Sequence, residues 1–300
     1  MISVIFCTRK RTESLIRLFN SIEKTCSDNK NVEIVLGIDT DDEETINFVN
    51  EYSKSGKLAL VPVLDERGRG YIDMHGRVTK LYESSRGKIL VFIADDCEFV
   101  TKDWDKRLLS YYGSVYKDNI FWGRIEEEVD PQGNSWACCF AITRDWLNIT
   151  GHLGTCYHQD TEFNFVAYHV GREIDTRDIK VIHHHGVSDE TYQEGRIAAD
   201  KGLLKGRTVW SWGVRANVAV DAIKLLKQIK KSEEQGGDID QRIRALYLDY
   251  VRTRLFQATK PIWKPLMFLL DKFNIHPIAI YNNITKAKHP IIQKKGGNER

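Results

Sequence analysis

The strongest signal in the sequence is the stretch KILVFIADDCEF at residues 88–99, where a short apolar run ends at two adjacent carboxylates, Asp95 and Asp96. Such a run of Ile, Leu, Val and Phe is typical of a strand that is buried on both faces of a mostly parallel sheet. The two acids would then lie at the carboxyl edge of the sheet, where open α/β folds bind their ligands. Carboxylates at that edge suit a divalent cation such as Mg2+ or Mn2+. Two aspartates can also simply end a strand and cap the next helix.

The segments before this strand alternate between strand-like and helix-like patterns. Apolar runs at residues 2–7, 32–38 and 58–63 favour strands. Apolar residues recur at helical spacing after each of these runs. This β-α-β-α-β-α-β order predicts an α/β fold with a doubly wound, mixed but mostly parallel sheet. The helical positions are Leu15, Leu18, Phe19, Ile22, Ile46, Val49, Tyr52, Val78, Leu81 and Tyr82.

Charged loops follow the first three predicted strands. The basic loop at residues 8–12 runs into a helix N-terminus, which attracts anions, although it lacks the glycines of a phosphate-binding fingerprint and could be a solvated turn. Asp39 ends the second strand and could accept hydrogen bonds from a base or ribose. Thr40 and Glu43 beside it have the spacing of a capping box. The Arg/Gly-rich residues 67–70 predict a mobile basic loop.

The pattern changes after the aspartate pair. Thr101 is expected to cap a helix that has Asp103 in its first turn. Runs at 120–125 and 138–143 then favour strands on either side of an acidic loop at 126–133. The predicted helix has its apolar face at Leu108, Leu109, Tyr112 and Val115.

An aspartate and a histidine cluster stand out further along the chain. Asp160 lies in a polar loop just before a predicted helix, where an N-cap is the simplest role for it. The run IKVIHHHG at 179–186 predicts a strand that ends in three imidazoles. Alternation along a strand places His183 and His185 on one face, and histidine is a frequent metal ligand. A surface histidine run without a role would look the same.

Taken in order, these motifs resemble those of the GT-A-fold glycosyltransferases, in the inverting, family-two-like branch, over about residues 1–200. The aspartate pair stands in the place of that family's DxD motif, but Ala94 replaces the first acid and gives Ala-Asp-Asp. A Gly-Asp-Asp variant occurs in some relatives. Asp95 would therefore either contact the ribose or only shape the turn.

The resemblance implies transfer of a sugar from a nucleotide-sugar donor to an acceptor hydroxyl, with inversion at the anomeric carbon. In the family's arrangement Asp160 would be the catalytic base, with Glu162 as the second choice. Asp96 with His185 or His183 would hold Mn2+ or Mg2+ against the diphosphate. The nucleotide-sugar would be bound by Thr8, Arg9, Arg11, Asp39, Arg77 and Asp95, where Arg77 belongs to a His-Gly-Arg counterpart of the family's helix start.

The resemblance, together with the helical spacing of apolar residues beyond it, divides the chain into a catalytic domain at 1–212 and a helical extension at 213–300. The nucleotide-binding half would cover about 1–100 and the acceptor half about 101–212. The extension is predicted to end in a basic, partly disordered tail. The acceptor could be a glycan, a lipid-linked molecule or a protein.

The net charge of +2 comes from the tail, because residues 261–300 hold seven Lys/Arg against two Asp/Glu and leave −3 for residues 1–260. An acidic body without a basic stripe argues against a nucleic-acid partner. The tail mixes apolar clusters with lysines, which favours packing on the catalytic domain or against a second subunit, or else peripheral membrane contact through 261–295. Six cysteines without a CxxC pair, and no signal-peptide pattern, predict a cytoplasmic protein with reduced thiols.

Two other functions fit parts of this pattern. A nucleotidyltransferase also uses a strand-edge aspartate pair with a metal ion, but it usually carries a Gly-rich basic signature that residues 8–12 lack. A non-enzymatic protein that binds through the basic tail is the second alternative. It predicts salt-dependent binding without turnover of a nucleotide-sugar.

Overall fold

The computed structural model describes residues 1–128, 139–156, 158–184, 193, 197, 201, 211–232 and 237–272. For residues 256–272 it describes the backbone alone. Within these residues ten strands form: β1 Ile2–Thr8, β2 Val32–Asp39, β3 Ala59–Asp65, β4 Ile89–Phe92, β5 Cys97–Phe99, β6 Trp122–Arg124, β7 Glu126–Glu127, β8 Phe140–Thr143, β9 Glu173–Ile174 and β10 Lys180–His183. The helices there are α1 Thr12–Thr25, α2 Glu43–Lys54, α3 Met74–Ser84, α4 Trp104–Tyr111, α5 Arg144–Thr150, α6 Gln159–Val170, α7 Trp212–Ser232 and α8 Gly237–Lys272.

Seven strands form the central sheet in the order β3-β2-β1-β4-β8-β6-β9. Strands β3, β2, β1 and β4 pair in parallel, and β9 is parallel to β6. Strand β8 is antiparallel to both of its neighbours, β4 and β6. The predicted doubly wound, mixed and mostly parallel sheet is confirmed.

Strand β1 shows why the sheet is covered on both faces. Val4 and Phe6 belong to one apolar core with residues of α1, while Ile5 between them belongs to a second core with residues of α3. Alternate residues of a strand point to opposite faces, so each face needs its own helices. All three side chains are at most 1% exposed. Full burial of both faces explains the continuous apolar runs in the sequence.

A second, smaller sheet has the order β5-β10-β7. Strand β10 is antiparallel to β5, with His183 opposite Cys97, and parallel to β7. This pairing brings the histidine strand to the residues that follow the aspartate pair. It also shows that Glu126 and Glu127, expected in a loop, form a strand, while 129–133 lie outside the described residues.

Two predicted helix starts are wrong. Helix α2 is capped by Asp42, whose carboxylate accepts hydrogen bonds from the Thr45 N–H at 3.3 Å and the Thr45 hydroxyl at 2.7 Å, so the expected box of Thr40 and Glu43 does not form. Helix α4 begins after Asp103, which has a left-handed backbone conformation. The hydroxyl of Thr101 is used elsewhere, because it donates to Asp178 and accepts from the Lys180 N–H.

The chain divides into two compact units, residues 1–251 and 252–300. Helix α7 lies in the first unit, where Ala222, Leu225 and Leu226 are fully buried in the second core. The functional division at residue 212 stays a prediction. No helix among the described residues is both long and apolar enough to cross a bilayer. The predicted disorder of the last ten residues lies outside the described part of the chain.

Candidate active site

A cavity of about 320 Å³ opens at the carboxyl ends of β1, β2 and β4. Parallel strands deliver their C-terminal residues to the same edge, so residues far apart in sequence meet there. The other lining residues come from the loop after β3, from α3 and from the start of α6. The lining includes Thr8, Arg9, Arg11, Asp39, Arg67, Arg77, Asp95, His158, Gln159 and Asp160.

One wall of the cavity is an aspartate held by two arginines. Asp39 is only 3% exposed, and its oxygens lie 2.9 Å from a guanidinium nitrogen of Arg9 and 2.5 Å from one of Arg77. Arg9 also contacts the exposed Asp41 at 2.6 Å. The hydrogen bond that Arg9 donates to Asp41 raises the pKa of Arg9 further above its already high value. The predicted nucleotide residues Arg9, Asp39 and Arg77 therefore form one charged group beside the cavity.

The floor of the cavity carries a second ion pair. Arg11, in the loop between β1 and α1, contacts Asp95 at 2.6 Å. Asp95 is 4% exposed, and burial raises the pKa of its carboxyl even though Arg11 lowers it. Both residues line the cavity with Thr8. All six residues predicted to bind the nucleotide-sugar are thus brought together.

Asp96 faces the histidine strand. Its Oδ1 lies 3.0 Å from Nε2 of His183, and Nδ1 of the same ring lies 3.2 Å from Glu127. Burial by itself would raise the pKa of Asp96 and lower that of His183. The hydrogen bonds outweigh burial, so the pKa of Asp96 is lowered and that of His183 is raised to about 10. The histidine is therefore a cation held between two carboxylates.

This pair has the chemistry of a metal site. Adjacent ligands of an octahedral ion with bonds of about 2.1 Å lie about 3 Å apart, which is the separation of Asp96 and His183. A carboxylate oxygen with an imidazole nitrogen suits Mn2+ better than Mg2+, which prefers oxygen ligands. The residues fit the predicted ion. His185, the other predicted ligand, lies outside the described residues.

Asp160 and Glu162 have different surroundings although both lie in the first turn of α6. Asp160 lines the cavity and accepts a hydrogen bond from the Thr161 N–H at 2.7 Å. The helix is capped at His158, so Asp160 is not its N-cap. Burial raises the pKa of Asp160 above 3.8.

Glu162 is 1% exposed and does not line the cavity. Its two oxygens accept hydrogen bonds from the N–H of Thr155 at 2.7 Å and from the Thr155 hydroxyl at 2.5 Å. Burial raises its pKa more than these bonds lower it. The structure thus presents Asp160 to a ligand in the cavity, while Glu162 anchors the loop before the helix.

Sequence reasoning missed several residues of this region. The sequence predicts that Glu127 lies in an acidic loop. In the structure it lies in the short strand β7, where its carboxylate contacts the ring of His183. Gln159 lines the cavity and is 3% exposed, and its side-chain carbonyl oxygen has no hydrogen-bond partner among the residues that the structure describes. Its place directly before Asp160 was the available signal. Cys139 lies 3.6 Å from Cys97, and no pattern in the sequence connects the two.

The sheet order and the position of the cavity define the GT-A fold of the glycosyltransferases that the sequence resembles. No protein-family model matches the chain, and no curated protein matches it in sequence. Among solved structures, the chain is similar to TarS 1–349 of S. aureus in complex with UDP-GlcNAc, with a TM-score of 0.52, 14% identity, and coverage of 87% of this chain and 78% of that one.

Two further solved structures share this fold. The mannosyltransferase PcManGT of Pyrobaculum calidifontis, in complex with GDP-Man and Mn2+, has a TM-score of 0.51 and 12% identity over 95% of this chain and 82% of its own. TarS of S. aureus in its longer form has a TM-score of 0.51 and 15% identity, and the match covers 82% of this chain and 42% of that one. These likenesses confirm the predicted GT-A fold.

Proposed function

We propose that this protein is a glycosyltransferase that moves a sugar from a nucleotide-sugar donor to an acceptor hydroxyl, with inversion and with a divalent cation. The observation that carries the proposal is the arrangement at one sheet edge: an arginine-walled cavity, the carboxylate of Asp160 lining it, and the Asp96–His183 pair next to its floor. The similar structures of TarS with UDP-GlcNAc and of PcManGT with GDP-Man and Mn2+ support the same reaction class.

The donor would lie along the ends of β1, β2 and β4. Three arginines, Arg9, Arg11 and Arg77, supply fixed positive charge to the cavity, and a guanidinium fork suits phosphate oxygens. Asp39 and Asp95 hold these arginines in place through ion pairs of 2.5–2.9 Å. Their remaining acceptor capacity, with the hydroxyl of Thr8, is what would contact the ribose or base.

Asp160 would act as the catalytic base. Inversion in one displacement requires the acceptor oxygen to attack from the side opposite the leaving diphosphate while a base removes its proton. Asp160 lines the cavity from α6, whereas Arg9 and Arg11 line it from the loop after β1 and Arg77 lines it from α3. Its raised pKa makes it a stronger base than an ordinary aspartate once it is ionised. Glu162 has no comparable access.

Asp96 and His183, with His185 as a further candidate, would hold Mn2+, and Mg2+ is the weaker alternative. When bound, the ion supplies positive charge to the departing diphosphate. His183 must lose a proton to serve as a ligand, and Glu127 can still accept a hydrogen bond from its other ring nitrogen. Because β7 pairs with β10, Glu127 would hold the His183 ring in position for the cation.

The test is a donor panel. The protein would be screened by thermal shift against UDP, GDP, CDP and dTDP sugars with Mn2+, because a bound ligand raises stability with the logarithm of its concentration over Kd. Any donor that binds would then be assayed for hydrolysis or transfer, and the anomeric configuration of the product read by NMR. Failure of every donor to bind would overturn the proposal. Release of pyrophosphate from a nucleoside triphosphate and a sugar phosphate would indicate a nucleotidyltransferase instead.

A further inference from the structure

Two thiols and an imidazole meet at the edge of the candidate active site. The sulfurs of Cys97 and Cys139 lie 3.6 Å apart, and one ligand atom from each of Cys97, Cys139 and His183 lies within 4.8 Å of the others. Three separate strand regions contribute these residues: β5, the residue before β8, and β10. The proposed transfer reaction uses neither thiol.

The spacing fits a tetrahedral cation. Bonds of about 2.3 Å to sulfur and about 2.0–2.1 Å to nitrogen place two sulfur ligands about 3.8 Å apart and a sulfur and a nitrogen about 3.6 Å apart. The sulfurs already stand within about 0.2 Å of that separation. We propose that Cys97, Cys139 and His183 form a binding site for a thiolate-preferring divalent cation of the Zn2+ class.

The ligand type separates this site from the one proposed for the donor. Thiolates select Zn2+ and similar soft or borderline ions, whereas carboxylates select Mn2+ and Mg2+. Cys97 is 1% exposed and Cys139 is fully buried, but the side chain of His183 is 11% exposed and gives the cation a route inward. Two thiol protons and one imidazole proton pass to solvent as the two metal–sulfur bonds and the metal–nitrogen bond form, and no oxidation or reduction takes place.

Two carboxylates support the histidine of this cluster. Glu127 and Asp96 each contact one ring nitrogen of His183, at 3.2 and 3.0 Å. When one nitrogen binds the cation, the other keeps its hydrogen bond to the carboxylate on its side, which is the usual support for a metal-bound histidine. The charge of Glu127 also acts on the Cys139 thiol.

The site has a consequence that rests on the proposed function. His183 belongs both to the thiol cluster and to the pair with Asp96. A Zn2+ ion held by the two sulfurs would use the same imidazole as the ion proposed beside Asp96, so the two cations compete for His183. Zn2+ is therefore an inhibitor of the Mn2+-dependent reaction, with the thiols as the source of its affinity.

The first experiment needs no turnover and uses Co2+ as the probe. Reduced full-length protein titrated with Co2+ should develop a thiolate-to-cobalt charge-transfer band in the near ultraviolet, saturate at one equivalent, and lose the band when Zn2+ is added. The variants Cys97→Ala and Cys139→Ala should each lower the band strongly. Cys26→Ala, at a half-buried cysteine in another part of the fold, is the matched control and should leave it unchanged.

The outcomes decide the proposal separately from the function. Absence of the band in reduced wild-type protein overturns the site, as does a band that survives both cluster variants. If a cluster variant fails to fold, judged by circular dichroism, the wild-type titration and the other variant still decide. In the turnover assay, the Zn2+ concentration for half inhibition should rise at least tenfold in Cys139→Ala relative to wild type. A normal Co2+ band in a protein without any transfer activity would keep the site and reject the glycosyltransferase.

Discussion

Replacing Asp160 by asparagine tests the assignment of the base most directly, because a neighbouring carboxylate offers a matched control. Asn keeps the shape of the side chain and an oxygen that can accept the hydrogen bond from the Thr161 N–H. The fold should therefore retain its thermal stability. General-base catalysis typically contributes 10²–10⁴ in rate, so turnover should fall by about that factor. This loss corresponds to about 3–5 kcal/mol of activation free energy.

Glu162→Gln is the control, two residues further along the same helix. The change removes the charge from a side chain that accepts two hydrogen bonds from Thr155. Loss of a charge-assisted hydrogen bond costs about 1.5–3 kcal/mol. A neutral glutamine, however, also removes the cost of burying a charge, which is the cost that raises the pKa of Glu162. We expect a small change in stability and a turnover within about threefold of wild type.

The assay would measure kcat and the donor Kd for both variants, with Mn2+ at saturation. Asp160→Asn should change kcat and leave the donor Kd near the wild-type value. In wild-type protein, kcat/KM should fall as the pH drops through the pKa of Asp160, which burial places above 3.8. Equal losses in the two variants, or a parallel loss of donor binding and turnover in Asp160→Asn, would refute the assignment.

Three further outcomes follow from the site. Because the pKa of His183 is raised to about 10, Mn2+ binding at pH 7 should release about one proton, which calorimetry in two buffers can measure. Asp96→Asn should weaken Mn2+ binding. An Mn2+ affinity that stays constant from pH 7 to 9 would contradict the assignment of His183 as a ligand. Arg77→Gln should raise the donor Kd about tenfold, because a hydrogen bond to a charged group is worth about 1.5–3 kcal/mol. Arg107→Gln, which removes an exposed ion pair, is the control and should leave the donor Kd unchanged. In the tail, a chain that ends at Thr259 should keep donor hydrolysis and lose co-sedimentation with anionic vesicles. If the full-length protein does not sediment with such vesicles at low salt, the membrane hypothesis is wrong. If the shortened chain unfolds, the tail belongs to the protein core.

Much of the fold could be predicted because its signals are local. The runs that became β1, β2 and β4 are continuous and apolar, since both faces of these strands are buried. Parallel topology then fixed the edge at which Arg9, Asp39 and Asp95 would meet. The helix starts were less predictable, because Asp42 and Thr40 are both good caps and only the tertiary contact of Asp42 with the Lys10 N–H distinguishes them.

The remaining parts depend on contacts that leave no pattern in the sequence. Glu127 contacts His183 because two very short strands pair in one register, and such strands are too short to show a period. Asp160 lines the cavity and Glu162 does not, because the two side chains leave the first turn of α6 in different directions. Both read as polar residues of a helix start, and only the neighbouring Thr155 gives Glu162 a structural role.

The pairing of β5 with β10 joins two segments that lie far apart in the sequence. The arginine-walled half of the cavity is encoded within the first 95 residues, apart from the turn that carries Asp160. His183, in contrast, reaches Asp96 only through three antiparallel residue pairs that join Cys97–Phe99 to Val181–His183. The proposed cation site therefore depends on the register of β10 against β5, whereas the residues proposed to bind the donor all lie before residue 96.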